Sequence, residues 1–374
     1  MTMWIIIFWT IIAVLGIALT YLGIRVPKLF SFDAISEWSK FKQFSFGILI
    51  TLGFTGVITL CIDFINAIVC VIYVAMIWAL SEFVFWLIEK LGHITFEHYW
   101  AGWTALLVSA IALIIGWYLG HGVWQKDYTL TTEKELPNLK VAMFADSHLG
   151  TTFDADGFEK HLKAIEAQKP DIVVVVGDYV DDNTKKEDMI KASRALGKIK
   201  TKYGVYFVLG NHDKGYYKSA HRGFDEKELL EELTKAGVVV LRDEAVLIDN
   251  TFYVIGRQDF SEVNEKHGKR QSMEELTANL DKEKYMIVLD HQPADFENQA
   301  KSEVDLVLSG HTHCGQLFPF NQVGKWIKAN DSVYGYERRN KTDFIVTSGI
   351  SSWAIKFKTG TKSEFVIINI KKGK

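Results

Sequence analysis

The sequence predicts two structural classes in one chain: an N-terminal all-α transmembrane segment and a C-terminal α/β domain. Three observations predict this. Up to about Leu119 the chain is dominated by long apolar runs, and after Gln125 it becomes a mixed sequence with regular charges. That second part alternates short β-rich apolar runs with helical patterns, which indicates a sheet buried on both faces with helices packed over it. Several of those apolar runs end directly in clusters of Asp, His and Asn. With 374 residues the chain is long enough for two units, one of them with a sizeable core.

Composition narrows the function classes. Hydrophobic residues make up 48% and the formal net charge is only −3, so there is neither the basic excess of a nucleic-acid groove nor a solvating acidic tail. Nucleic acid is therefore not the expected partner. Of the three cysteines, Cys61 and Cys70 lie in apolar runs and Cys314 stands alone. The second part can form no disulfide framework, and cysteine usage does not decide the redox compartment.

Residues 4–24 carry no charge and are long enough to span a bilayer core at about 1.5 Å per residue. Met1-Thr2-Met3 offers no basic leader and no small-residue cleavage site follows, so an uncleaved anchor is expected. Residues 44–88 would measure on the order of 65 Å as one helix, about twice the bilayer core. Asp63 and Asn66 are the polar breaks near the middle, which divides the run into a hairpin of 44–62 and 67–88. Residues 99–119 make a fourth span, with Tyr99, Trp100, Trp103, Trp117 and Tyr118 near its ends, where an interfacial belt would place them. The anchor is thus residues 1–124, followed by a linker over 125–138.

Loop charges set the expected orientation. The first connection carries Arg25, Lys28, Lys40 and Lys42, the third carries Lys90, and the hairpin tip has no Lys or Arg. The positive-inside rule then puts both termini outside and the second domain on the extracytoplasmic side. Ile35, Trp38 and Phe41 are spaced for a helix lying in the interface, with an ordinary loop as the alternative. Glu82, inside the third span, reads as a carboxylate reaching headgroups or a partner helix before it reads as a functional acid.

In the second domain, apolar strands are expected at 139–145, 172–176, 205–209, 238–241, 245–248, 252–255, 285–289, 304–308, 344–347 and 365–370, with helices at 158–168 and 187–200 between the first of them. After five of these strands come Asp146-Ser147-His148, Gly177-Asp178-Tyr179-Val180-Asp181, Gly210-Asn211-His212-Asp213, Asp290-His291 and Gly310-His311-Thr312-His313. Residues at i and i+2 of an extended chain project to one side, and the carboxyl ends of strands in an α/β sheet form the ligand crevice. Each cluster alone could be a helix cap or a hydrogen-bonded core group; five of them, each directly after a strand, point to convergence. A mixture of Asp, His and Asn without paired Cys suits Mn²⁺, Fe²⁺ or Zn²⁺. Two such ions need a shared carboxylate, and together they polarise a phosphoryl group and generate a hydroxide near neutral pH. A further histidine can protonate the leaving oxygen.

The series D-x-H, G-D-x-x-D, G-N-H-D, a His after a strand, and G-H-x-H, in this order, resembles the calcineurin-like metallophosphoesterases over roughly residues 139–370. The resemblance implies a four-layer αββα sandwich and two divalent metals, Mn²⁺ first. It implies one metal on Asp146, His148, Asp178 and His313, and a second on Asp178, Asn211, His291 and His311, with Asp178 as the bridge. His212 matches the histidine that contacts the phosphoryl group and helps the leaving group depart, Asp213 would orient it, and Asp181 matches a position behind the ligands. The phrases LGNHD and DLVLSGHTHCGQ look most like the membrane-anchored bacterial branch related to UDP-2,3-diacylglucosamine pyrophosphatase-like enzymes. Cys314 stands where that branch commonly has Gly, and is expected to be a packed small residue. Asp181 occupies the place of the metal-binding Tyr of purple acid phosphatases and Tyr179 is at the wrong offset, so no tyrosinate–iron site is expected.

Substrate contacts are less legible. Two segments could read a phosphate or headgroup: residues 214–223, with Tyr216, Tyr217, His221 and Arg222, and residues 257–270, with Arg257, His267, Lys269 and Arg270. Both could equally be solvated loop. The expected protein is a phosphoric ester hydrolase integral to a bacterial inner membrane, acting on a phosphomonoester, phosphodiester or pyrophosphate of a small molecule or lipid. The alternative is a metal-binding scaffold or sensor on the same fold.

Overall fold

The computed structural model describes residues 2–30, 33–216, 221–265 and 268–373, and the chain divides into two compact units, Met1–Gly116 and Trp117–Lys374.

The first unit is built on helices α1 (Thr2–Arg25), α2 (Lys40–Cys61), α3 (Phe64–Gly92) and α4 (Trp100–His121), whose last turn is counted with the second unit. The shorter of these, 22 residues, rise about 33 Å, enough to cross a bilayer core. All four are long and apolar enough to do so. The hairpin breaks where the sequence carries its polar pair. Asp63 is extended and caps α3, its carboxylate accepting from the Asn66 backbone N–H at 2.8 Å and from the Asn66 amide. Between α1 and α2 the chain forms a 3₁₀ turn, Val26–Phe30, and a single helical turn, Asp33–Ser36, rather than one continuous interfacial helix. Glu82 reaches neighbouring segments, as expected. Its carboxylate accepts from the hydroxyls of Tyr21 (2.9 Å) and Tyr99 and lies 3.0 Å from Arg25 Nε.

Among the described residues the second unit contains twelve strands: β1 (Val123–Thr132), β2 (Leu139–Phe144), β3 (Ile172–Val176), β4 (Val205–Val208), β5 (Val239–Val240), β6 (Glu244–Ile248), β7 (Phe252–Gly256), β8 (Tyr285–Leu289), β9 (Leu306–Ser309), β10 (Gly335–Arg339), β11 (Thr342–Val346) and β12 (Ser363–Lys372). They form two six-stranded sheets, ordered β1-β12-β2-β3-β4-β5 and β10-β11-β9-β8-β7-β6. Side chains alternate across each strand, so each sheet has two faces to bury. Val141 and Met143 of β2, with Val174 and Val208, join Val254, Ile287 and Leu308 of the other sheet in the central core. Ala142 and Phe144 point the other way, under α5 (Ala155–Glu166), α6 (Lys186–Leu196) and α7 (Glu226–Lys235). Phe296 and Met273 cover the outer face of the second sheet. This is the αββα layering.

One expectation is corrected. The segment read as a linker, 125–138, is largely strand: β1 pairs in parallel with β12 over ten residues, Val123↔Ser363 to Thr132↔Lys372. Its side chains alternate between half-buried and exposed, the pattern of an edge strand with one wet face, and its charges disguise it as linker. β10 is likewise an edge strand that the apolar pattern did not reveal; it pairs antiparallel with β11.

Candidate metal centre

Five strands deliver the clusters. β2 ends one residue before Ala145 and Asp146, β3 leads through Gly177 into Asp178, β4 into Asn211 and His212, β8 into His291, and β9 into His311 and His313. Five of these residues have left-handed backbone: Asp146 (φ 57°), His148 (35°), Asp178 (50°), His311 (71°) and His313 (47°). Such conformations cost of order 1 kcal/mol each for non-glycine residues and gather where function holds them. Glycine makes the approach possible. A Cβ on Gly177 (φ 78°) would lie 2.4 Å from His291 Nδ1, and one on Gly210 would lie 2.2 Å from Asp178 Oδ1.

The structure brings together all seven residues expected to be ligands. Donor atoms of Asp146, His148 and His313 lie within 4.8 Å of one another, and so do those of Asp178, His291 and His311. Asp178 Oδ2 joins the two groups, 3.6 Å from His148 Nε2 and 3.1 Å from His291 Nε2. His148 Nε2 and His313 Nε2 approach to 3.1 Å, and Asn211 Oδ1 lies 3.0 Å from His311 Nδ1. The remaining valences are spent on backbone. Asp146 accepts from the His311 N–H (2.9 Å), and Asp178 Oδ1 from the His212 N–H (2.8 Å). His291 Nδ1 sits 2.8 Å from the Val176 carbonyl, which fixes a proton on Nδ1 and turns Nε2 toward Asp178.

These residues fit a dinuclear divalent-metal site on chemical grounds. His291 Nε2 is buried without a hydrogen-bond partner among the described residues, as are His148 Nδ1 and His313 Nδ1. Buried polar atoms are normally paired. Burial and the neighbouring His291 push His311 down to about 4, and burial with His148 holds His313 well below its ordinary value. Both are therefore neutral, the form that ligates. Burial pushes Asp178 upward, but His291, His212 and His148 more than offset it and hold the carboxyl well below its usual range. Burial and Asp178 push Asp146 up to about 6, a cost that a cation would relieve.

The expected role of Asp213 is corrected. Its carboxylate accepts from three backbone N–H groups, Tyr179 (2.8 Å), Val180 (3.0 Å) and Gly210 (2.7 Å), and His212 Nδ1 has no partner among the described residues. Asp213 positions the loops that carry Asp178 and Asn211 rather than the imidazole. Asp181 lies behind the ligands, 3.5 Å from His148 Nδ1. Tyr179 turns into the helix-side core between Phe158 and Phe207. Cys314 is buried, with φ 51°, which explains why glycine would serve equally there.

The three arginines expected to read substrate all have protein partners. Arg222 is buried behind the His212 loop and donates to the carbonyls of Asp213 (2.9 Å) and Phe224 (3.1 Å). Arg257 donates to Asp290 (2.9 Å) and Asp295 (2.8 Å), and Arg270 to Asp290. With Gln299 Nε2 at 2.7 Å, they saturate Asp290 and so fix the residue before His291. Tyr217 and His267 lie outside the described residues. Two aromatic rings flank His212 instead: Tyr216 at 5.0 Å and Trp353 at 5.3 Å between centroids. Trp353 was not singled out from the sequence. The available signal is a sixth strand, β11, that ends in Thr347-Ser348-Gly349 with no Asp or His to mark it.

The profile of the calcineurin-like phosphoesterases matches residues 139–315. An uncharacterized metallophosphoesterase of Aquifex aeolicus is 41% identical over 51% of this chain and 70% of its own. One from Campylobacter jejuni is 32% identical over 64% of this chain, which spans 62% of that relative's length. A cow protein described as a transmembrane protein with metallophosphoesterase domain is 29% identical over 61% of this chain and 52% of its own.

Proposed function

Since this chain belongs to the calcineurin-like phosphoesterase family, we propose that it is a membrane-anchored hydrolase of phosphomonoesters, phosphodiesters or pyrophosphates. The observation that supports this most is Asp178, whose one carboxylate oxygen faces ligand nitrogens of both donor groups. Asp146, His148, Asp178 and His313 would hold one divalent ion; Asp178, Asn211, His291 and His311 would hold the other. Mn²⁺ suits this donor set first, with Fe²⁺ or Zn²⁺ also compatible. When bound, the ions withdraw charge from the phosphoryl oxygens and make water acidic enough to attack near neutral pH.

The chain's own residues supply position and a proton. A water oxygen bonds to phosphorus, the bond from phosphorus to the leaving oxygen breaks, and His212 delivers a proton to that oxygen. Burial pushes the His212 imidazole below its ordinary pKa, so its imidazolium is a stronger acid than a free one but the minor form near neutral pH. Its backbone N–H, bonded to Asp178 Oδ1, keeps the imidazole registered to the bridging carboxylate. Four apolar helices support a substrate of the cell envelope, a lipid-linked phosphate or pyrophosphate of the UDP-diacylglucosamine type, in a bacterial inner membrane with the catalytic unit extracytoplasmic.

The test is hydrolysis of p-nitrophenyl phosphate and its bis ester by the detergent-purified full chain, with and without Mn²⁺. Metal-dependent turnover, lost in Asp178→Asn and His212→Ala, is the expected result. A metal-loaded protein inert on both compounds and on a panel of lipid-linked and nucleotide phosphates would instead make the domain a scaffold.

A further inference from the structure

Directly after the ligands His311 and His313, the chain makes an exposed apolar loop that the proposed chemistry does not use. Phe318, Phe320, Trp326 and Ile327 are 56–70% exposed, and all four fall within ten residues. Elsewhere in this unit only Tyr118, in the last turn of α4, is a comparably exposed large apolar side chain among the described residues. From Cys314 to Asn330 the only charges are Lys325 and Lys328. Exposed Trp, Phe and Ile beside lysines, with no acid, is the composition of a segment that lies in a membrane interface.

The loop is tied to the end of a membrane-length helix. Gln316 donates through Nε2 to the carbonyls of Ile355 and Phe357 and accepts from the Trp353 N–H at 3.1 Å. Phe318 N–H donates to Thr359 Oγ1 at 2.9 Å. Phe357 in turn packs edge-on against Trp117 of α4, at 5.6 Å between centroids, and Gly120 approaches the Lys356 carbonyl so closely that a Cβ would lie 2.8 Å from it. Trp117, Tyr118 and Trp124, the last with Lys362 over its ring at 5.3 Å, are the aromatic and basic groups expected where a span leaves the hydrocarbon. Through these contacts the loop is bound to the last turn of α4, Trp117 to His121, which belongs to the same unit.

We infer that the 318–327 loop docks into the headgroup layer of the bilayer that α4 crosses, so that phosphoesters carried on lipids in that layer are presented beside His311 and His313. The occupant is the phospholipid surface. Its substrate side rests on the hydrolase reading above, and its docking side rests only on α4 crossing a membrane.

The full chain would be reconstituted in phosphatidylethanolamine–phosphatidylglycerol nanodiscs with the photo-crosslinker benzoylphenylalanine at Trp326 or, as control, at Tyr336, which is 46% exposed on β10. Irradiation followed by mass spectrometry should give at least fivefold more lipid adduct at 326 than at 336. Equal yields, or none at 326, would overturn the docking, whatever p-nitrophenyl phosphate turnover the protein shows. The variant Phe320→Ser/Trp326→Ser/Ile327→Ser should keep its rate on water-soluble p-nitrophenyl phosphate. It should lose about tenfold on a phosphoester embedded in the disc, and equal retention of both rates would overturn the presentation of lipid substrate.

Discussion

Each unit holds a polar cluster, half-buried around Glu82 and fully buried around Asp178, and the two clusters differ in what is left over. In the helical unit, Glu82 takes two tyrosyl hydroxyls and a guanidinium, Arg25 lies on it, and Trp78 Nε1 donates to Tyr99 Oη at 2.8 Å. Among the described residues, two hydroxyls and a guanidinium meet that carboxylate, and Arg25 Nε, like His291 Nε2, forms an ion pair without a hydrogen bond. Around Asp178, ring nitrogens crowd carboxylate oxygens and each other, with His148 Nε2 3.1 Å from His313 Nε2 and His291 Nε2 3.1 Å from Asp178 Oδ2, and several ring nitrogens have no hydrogen-bond partner among the described residues. The difference teaches that burial of charge alone marks no site. Hydroxyl and guanidinium partners can hold helices together in an apolar solvent, whereas His and Asp donor atoms that converge within 4.8 Å of one another suit a cation.

The largest expected effect lies on the Asp178 cluster. Asp178→Asn keeps an acceptor for the His212 N–H but removes the charge that both donor groups share. Turnover on p-nitrophenyl phosphate should fall by at least about 10³, roughly 4 kcal/mol of transition-state stabilisation, and metal content measured by mass spectrometry should fall below two ions per chain. An Asn variant that keeps both ions would break the comparison at its centre.

The Glu82 cluster should respond in stability instead. Glu82→Leu leaves Arg25 without its carboxylate and two tyrosyl hydroxyls without an acceptor. The cost should be on the order of 2–4 kcal/mol, read as a lower Tm in detergent, while kcat on p-nitrophenyl phosphate below that temperature stays within about twofold. If kcat falls tenfold with Tm unchanged, Glu82 belongs to function and not to packing. A smaller effect should follow from Arg270→Ala, because Arg257 and Gln299 still hold Asp290. That variant should lose about 1–2 kcal/mol of stability with KM unchanged. A several-fold rise in KM at unchanged Tm would restore Arg270 to substrate reading.

The same contrast explains what the sequence could disclose. The ligands were legible because each follows a continuous apolar strand, and such strands are visible when both faces are buried, as in Ile172–Val176. β1 was not legible, since its wet face carries Gln125 and Asp127 and its half-buried face carries Lys126. The Arg257 and Arg270 clamp on Asp290 was not legible either, because a guanidinium has the same sequence signature whether it meets substrate or a buried carboxylate. Asp213 follows His212 directly, yet its carboxylate turns to the backbone N–H groups of Tyr179 and Val180 and to that of Gly210 in its own loop. Adjacency in sequence said nothing about that direction. Trp353 lacked any ionisable neighbour to draw the eye.

The smallest effect tests how finely the Asp178 cluster is held. Asn211 Nδ2 donates to Tyr216 Oη at 2.9 Å, which turns Oδ1 toward His311 and into the second donor group. Tyr216→Phe deletes that acceptor and keeps the ring that lies 5.0 Å from His212. One hydrogen bond of this kind is worth about 0.5–1.5 kcal/mol, so the concentration of Mn²⁺ that half-activates the enzyme should rise by roughly 2–10-fold. At saturating Mn²⁺ the rate should recover to near that of the parent, because His212 and its aromatic neighbour are untouched. Loss of rate that Mn²⁺ does not restore would mean that Tyr216 acts on the substrate side, and the aromatic pair around His212 would then be the place to look for what the leaving group is.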